Sequence, residues 1–365
     1  MKNRMIVGVV IHGPEIIDSG GAGRVLDVLS EHYEVTAFLG GTMGRTAVID
    51  AHLEDRIDIS RRMSLSGAIN SLPWVDAVVL LNRGKTTDSG IAFGRIVMSR
   101  TKPVPIIQIE RPMEADGVVI PWNDAESWAE QIAGMLGLPV MMPPPAQDVS
   151  VVCTDGDQTR RRIHDTLPGE TIRINGIVVG TVVSDGVEIV TEDGRIVDIA
   201  GARMKEHGIE KLGRIDPGTA LVRTGSIRRT DHVPRIGTAE RRRTNLSVVL
   251  IDHDAESTFE LAADADLAVT IGDDTTAIAG DILYRLGIPI IGITDMDIDY
   301  VLTNADIFPG SVVLRVDLGY DDIVGGMVRN IVFDGGDRLK ASSIDSLREQ
   351  VIAIAGERLI EVVSY

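Results

Sequence analysis

The feature that most restricts what this chain can fold into is a change of rhythm along its length. Short apolar runs alternate with helix-length amphipathic stretches from the start to about Met142, and the same alternation returns from Asn245 onward. Between them the pattern is different: β-branched runs follow one another, broken only by tight-turn dipeptides. Strands that alternate with helices build βα units around a mostly parallel sheet. A helix-poor series of short strands closes on itself as an antiparallel sheet instead.

In the first block the runs Met5–Ile11, Glu34–Leu39, Ala77–Leu81, Pro105–Ile109 and Gly117–Ile120 predict strands, with helices near 22–32, 45–54, 63–71, 89–99 and 124–137. The run Met141-Met142-Pro143-Pro144-Pro145 cannot continue a helix, because proline lacks the amide proton and clashes with the preceding turn, so it ends that domain. In the middle, Asp185-Gly186 and Asp193-Gly194 suit the positive φ angles of hairpin turns. The last block predicts strands at Ser247–Ile251, Leu267–Ile271, Pro289–Ile293 and Ser311–Val316, and helical spacing over Asp281–Leu286 and Ile344–Ala355. Gly287 stands where a C-capping glycine belongs. The expected class is α/β: two Rossmann-like, mostly parallel-sheet domains at residues 1–142 and 246–365, flanking a linker and a small antiparallel β-rich segment at 143–245.

Charge narrows the partners. The net charge of −18 is uneven, with 13 basic against 18 acidic residues in 1–150, 16 against 14 in 151–245, and 7 against 22 in 246–365. Nucleic acid needs clustered Lys and Arg, usually interleaved with aromatic rings. The basic runs Arg160-Arg161-Arg162, Arg228-Arg229 and Arg241-Arg242-Arg243 carry no such aromatics, so pairing with the chain's own acids is the plainer expectation. No stretch approaches the roughly 18 apolar residues that span a bilayer, so a membrane is not an expected partner. The opening MKNRMIVGVVIHG reads as the first strand, since no small-residue cleavage site follows it. One cysteine, Cys153, excludes an internal disulfide and fits a reducing cytoplasm. Homo-oligomerisation is left open.

Function in open α/β sheets gathers beyond the carboxyl ends of the strands. In the last block those positions are acidic: Asp252-His253-Asp254, then Gly272-Asp273-Asp274, then Asp295-Met296-Asp297. Packed carboxylates repel unless a cation neutralises them, so Asp252, Asp254, Asp273, Asp274, Asp295 and Asp297 are candidate ligands for Mg²⁺ or Mn²⁺, which can in turn hold a phosphate. The bland alternative is that aspartate caps helices and favours turns. In the first block the strand ends are glycine-rich. Gly20, Gly21 and Gly23 follow the first strand, Gly40, Gly41, Thr42 and Arg45 the second, and Arg83 and Lys85 the third. Backbone amides and these cations suit a small phosphorylated or nucleotide-like ligand. Neither Walker A spacing nor a clean G-x-G-x-x-G is present. His12, Glu15 and His253 are candidate proton-transfer residues, against a plain hydrogen-bonding role.

Gly292-Ile293-Thr294-Asp295-Met296-Asp297 resembles the Asp-x-Asp strand end of Toprim domains, with Tyr300 where glycine is common. Val249-Leu250-Ile251-Asp252-His253-Asp254 resembles the Asp-His-His strand end of manganese phosphoesterases, with aspartate in place of the second histidine. The strings Ile11–Arg24 and Leu286–Asp299 together resemble a family of uncharacterised proteins of methanogenic archaea. That resemblance implies an archaeal, cytoplasmic protein and carries no activity or catalytic residue with it. Three functions follow from the residues: first a metal-dependent protein that binds or acts on a phosphorylated or nucleotide-like ligand, second a noncatalytic metabolite sensor or assembly factor, and last nucleic-acid binding through the central arginines.

Overall fold

A computed structural model describes residues 4–40, 44–144, 152–163, 166–184, 186–225, 228, 245–295 and 305–365. Gly41, Thr42, Asp297, Asp185, Arg229 and Arg241-Arg242-Arg243 lie outside the described residues. The chain is a mixed α/β protein, and its described residues form four sheets, with both parallel and antiparallel pairing. It divides into two compact units, Met1–Arg229 and Thr230–Tyr365. No helix among the described residues is long and apolar enough to cross a membrane.

The first unit opens with β1 (Ile6–His12), α1 (Glu15–Asp18), α2 (Gly21–His32), β2 (Glu34–Gly40), α3 (Gly44–Asp50), β3 (Ile57–Asp58), α4 (Leu65–Asn70), β4 (Ala77–Asn82), α5 (Thr87–Met98), β5 (Ile106–Glu110), β6 (Val118–Trp122) and α6 (Glu126–Leu136). These strands form one sheet in the order β3-β2-β1-β4-β5-β6. The first five run parallel, and β6 is antiparallel to β5. Residues 111–117 are too few for a helical crossover, so the chain can only turn back. Helices cover both faces. Val7, Val9 and Ile11 pack with Val25 and Leu29 of α2 and Ile132 of α6. Val10, Val78 and Leu80 pack with Ala68 and Ile69 of α4 and Val97 of α5. Burial on both sides is why these strands read as unbroken apolar runs rather than as alternation.

The rest of the first unit comprises β7 (Val152–Asp155), β8 (Gln158–Ile163), β9 (Thr171–Ile174), β10 (Ile177–Val182), β11 (Val187–Glu192), β12 (Arg195–Ala200), β13 (Ala202–Met204), α7 (Glu206–Leu212) and β14 (Val222–Gly225). One small antiparallel sheet was the expectation, and the described residues make two. Their orders are β13-β10-β9-β14 and β12-β11-β8-β7, with Ile172, Val179, Ile189 and Ile199 in a shared core. Asp193 and Gly194 both take positive φ between β11 and β12. Asn175 and Gly176 do the same between β9 and β10, as a two-residue hairpin turn requires. Ion pairs tie this segment to the first sheet and its helices. Lys85 Nζ pairs with Glu170 at 2.7 Å, and the Arg228 guanidinium bridges Asp18 and Asp50 while reaching Thr46.

The second unit contains β15 (Leu246–Asp252), α8 (Thr258–Leu261), β16 (Leu267–Ile271), α9 (Asp273–Leu286), β17 (Ile290–Thr294), β18 (Val312–Val316), α10 (Asp321–Ile331), β19 (Arg338–Ala341), α11 (Ile344–Ala355) and β20 (Leu359–Ser364). Its sheet order is β19-β15-β16-β17-β18-β20, with four parallel inner strands and two antiparallel edges. Val249, Ile251 and Ala268 face Ala279 and Leu283 of α9. Val248, Leu250 and Val269 face Val324 and Val328 of α10 and Leu347 and Val351 of α11. Helical spacing predicts α9 only from Asp281, whereas it starts at Asp273. Its early turns are buried nearly all round and built of Thr and Ala, so no amphipathic stripe marks them.

Candidate functional site

The parallel register brings the strand ends of the first sheet to one level. His12 lies opposite Gly40 on one side and Asn82 on the other, and Asn82 lies opposite Glu110. A hydrogen-bonded chain joins them. His12 Nδ1 meets Asn82 Oδ1 at 2.7 Å, and Asn82 Nδ2 donates to Glu110 Oε2 at 2.8 Å. Gln108 Nε2 donates to the same oxygen at 2.9 Å, and Trp122 Nε1 donates to Gln108 Oε1 at 3.1 Å. Because an amide oxygen can only accept, His12 Nδ1 must carry the proton. Burial lowers the His12 pKa below its usual 6.5, with the Asn82 hydrogen bond opposing that shift. The ring is therefore neutral near pH 7 and leaves Nε2 as a lone-pair acceptor. His12 stacks on Phe93, with ring centroids 4.2 Å apart. Burial likewise pushes the Glu110 carboxyl up, although donors from Gly84, Asn82 and Gln108 pull the other way.

The glycines after β4 make room for this carboxylate. Gly84 N–H donates to Glu110 Oε1. A Cβ at Gly90 would lie 2.1 Å from Glu110 Cδ, and one at Gly94 would lie 2.0 Å from Gln108 Oε1. The loop that looked like an anion cradle thus holds an anion belonging to the chain itself. The neighbouring cations are also engaged. Arg83 donates twice to Glu114, at 2.8 and 3.0 Å, Lys85 pairs with Glu170, and Arg111 pairs with Asp116 while donating to the carbonyls of Gly84 and Lys85. Arg45 is buried in the first turn of α3, 2% exposed. Glu15 is exposed, and its charge raises the His12 pKa, the weakest of the three influences. Gly20 caps α2 with a left-handed backbone, Gly21 packs on Ile16, and Gly23 faces open space. Asn82 and Glu110, which close the network, were not singled out in the sequence.

At the carboxyl edge of the second unit, Asp252 ends β15 and His253 follows it. His253 Nδ1 contacts Asp252 Oδ1, and Nε2 lies 3.2 Å from Asp322 Oδ1. Arg329 of α10 donates to the other Asp252 oxygen at 2.8 Å. The His253 hydrogen bond, then Arg329, hold the Asp252 carboxyl below its usual range against the opposing effect of burial. A Cβ on Gly272 would sit 3.5 Å from His253 Nε2 and 3.8 Å from Asp321 Oδ2, which places these groups around one glycine. Asp295 accepts the Gly319 N–H at 2.8 Å. Asp273 and Asp274 occupy the first turn of α9, and Asp254 is exposed. Among the described residues no three His, Cys, Asp or Glu side chains form a group that could hold a metal ion. The side chains that meet are Asp252, His253, Asp321 and Asp322, the last two missed in the sequence because paired glycines hid α10.

These features define a mixed α/β protein with a buried His-Asn-Glu relay on one sheet edge and an acidic rim paired with Arg329 on another. The chain belongs to a family described as uncharacterized proteins conserved in archaea (DUF2117), whose model matches residues 9–336. It is similar to the uncharacterized protein MJ0065 of Methanocaldococcus jannaschii, 43% identical over 327 residues, which covers 88% of this chain and 90% of that one.

Proposed function

We propose that the first unit is a Rossmann-like binding module that takes a small phosphorylated or nucleotide-like ligand at the carboxyl edge of its parallel sheet. The strand order β3-β2-β1-β4-β5 reverses direction between β1 and β4, and open α/β sheets take their ligands in the crevice at such a reversal. The observation that carries the reading is the relay ending on His12, which lies at that reversal. Asn82 and Glu110 fix the ring and its tautomer, so Nε2 presents a lone pair to a ligand hydroxyl, amide or ammonium. The same geometry lets His12 accept a proton, and turnover of the bound ligand decides between an enzyme and a sensor.

Thermal shift against mononucleotides, dinucleotides and sugar phosphates tests this. Saturation at about 100 times Kd stabilises a protein by about 2.7 kcal/mol. A ligand that stabilises the parent should lose most of its effect in His12→Gln. The reading fails if no member of the panel shifts the parent, or if His12→Gln responds equally. Mg²⁺ and Mn²⁺ in the same panel address the acidic rim. An ion bound through Asp252 would compete with Arg329, so Arg329→Gln should strengthen its effect.

A further inference from the structure

Arg173 on β9 and Arg223 on β14 are directly opposite partners across an antiparallel pair. Their neighbours Ile172 and Ile174 lie in the core between the two middle sheets, and Val222 packs against it. Side chains alternate along a strand, so both arginines belong to the other face of the sheet. Arg203 joins them there, because it pairs with Thr181, which pairs with Thr171, two residues before Arg173. Like charges placed directly opposite each other destabilise a sheet. Arg173 carries a second anomaly: its Nη2 is closed off from solvent and has no hydrogen-bond partner. Two other arginines of this unit show how such a guanidinium is supplied with acceptors. Arg161 donates to the carbonyls of Pro217 and Ala220, and Arg228 is held by two aspartates. Arg223 is itself engaged within the chain, which leaves Arg173 as the donor in need of an acceptor.

We propose that Arg173 is the principal contact of a phosphate-binding site on the outer face of the β13-β10-β9-β14 sheet, with Arg223 and Arg203 supplying further positive charge. A guanidinium offers two parallel N–H donors that match two oxygens of a phosphate, and a dianion offsets the repulsion between opposed arginines. The ligand class is a small phosphate or phosphate monoester. This site is built from residues other than those of the His12 crevice and is argued independently of it.

The test uses the full chain in phosphate-free buffer, titrated with inorganic phosphate and then pyrophosphate, with chloride matching the ionic strength. Phosphate should raise Tm beyond the chloride control, and isothermal titration should give a Kd that Arg173→Gln weakens by about tenfold or more. Arg173→Lys keeps the charge but loses the fork and should fall between the two. It also carries the test if Arg173→Gln does not fold. Without phosphate, Arg173→Gln should be no less stable than the parent, since it removes both the repulsion and the unmet donor. His12→Gln should bind phosphate like the parent. Equal phosphate affinity in the parent, Arg173→Gln and Arg173→Lys would overturn the site. So would a parent that responds no more than to chloride, or a response abolished by His12→Gln.

Discussion

His12 is held neutral by its surroundings, and that has a measurable sign. Its folded pKa lies below 6.5 because burial disfavours the charged ring. The unfolded chain therefore binds the extra proton more readily, and stability is lost as pH falls through 6.5 toward the lowered folded value. Urea denaturation of the parent at pH 7.5 and 5.5 should show this loss, with a contribution from His12 of at most about 1.4 kcal/mol per pH unit. His12→Gln keeps a donor for Asn82 but does not titrate, so its pH slope should be shallower. An identical slope in the two proteins would mean that folding leaves the His12 pKa unchanged. His12 was legible as a candidate because it ends an apolar run before a glycine. Glu110 was not, since a carboxylate at the end of Ile106-Ile107-Gln108-Ile109-Glu110 reads as a strand leaving the core, and only the fold shows it fully buried. A clue did exist in Gly90 and Gly94, four residues apart on one helix face, where something bulky had to approach.

That clue makes a prediction about α5 as an element. Alanine normally favours a helix over glycine by about 1 kcal/mol. At Gly90 the new Cβ would overlap Glu110 Cδ at 2.1 Å, and at Gly94 Gln108 Oε1 at 2.0 Å, so the buried carboxylate and amide must shift. Overpacking of this kind costs about 1–3 kcal/mol and outweighs the helix preference. Gly90→Ala and Gly94→Ala should therefore lower Tm. Gly134→Ala in α6, where nothing lies within 4 Å, should instead raise stability by about 0.5–1 kcal/mol. If all three raise Tm, the packing of α5 on β5 is wrong. Among the elements themselves, strands buried on both faces were legible to within a residue or two, because continuous Val-Ile-Leu runs have few alternatives. The edge strands β19 and β20 and the helix α10 were not. Edge strands expose polar residues, and α10 contains Gly325-Gly326, where Gly325 is required because a Cβ would come 2.5 Å from Ile271.

At the scale of the molecule, the two units differ in charge. Residues 1–229 hold 25 basic against 30 acidic side chains, and residues 230–365 hold 11 against 24. The asymmetry was legible directly from the sequence, whereas the placing of the β-rich segment with the first sheet was not, because Lys85–Glu170 and Arg228–Asp18 join residues far apart in the chain. Self-repulsion destabilises a compact state and weakens as salt shortens the Debye length from about 10 Å at 0.1 M to about 3 Å at 1 M. The second unit should therefore gain more from salt than the first. The molecule carries its own reporters for this. Trp74, Trp122 and Trp128 are the chain's three tryptophans and all lie in the first unit, so tryptophan fluorescence follows that unit alone, while far-ultraviolet circular dichroism follows both. In heat denaturation at low KCl the dichroism should begin to fall before the fluorescence changes, as the acidic unit unfolds first. Raising KCl toward 1 M should bring the transitions together, chiefly by moving the dichroism upward. Coincident transitions at every salt concentration would show instead that the two units unfold as one cooperative body, and that the acidity of the second is already neutralised by pairs such as Asp252–Arg329.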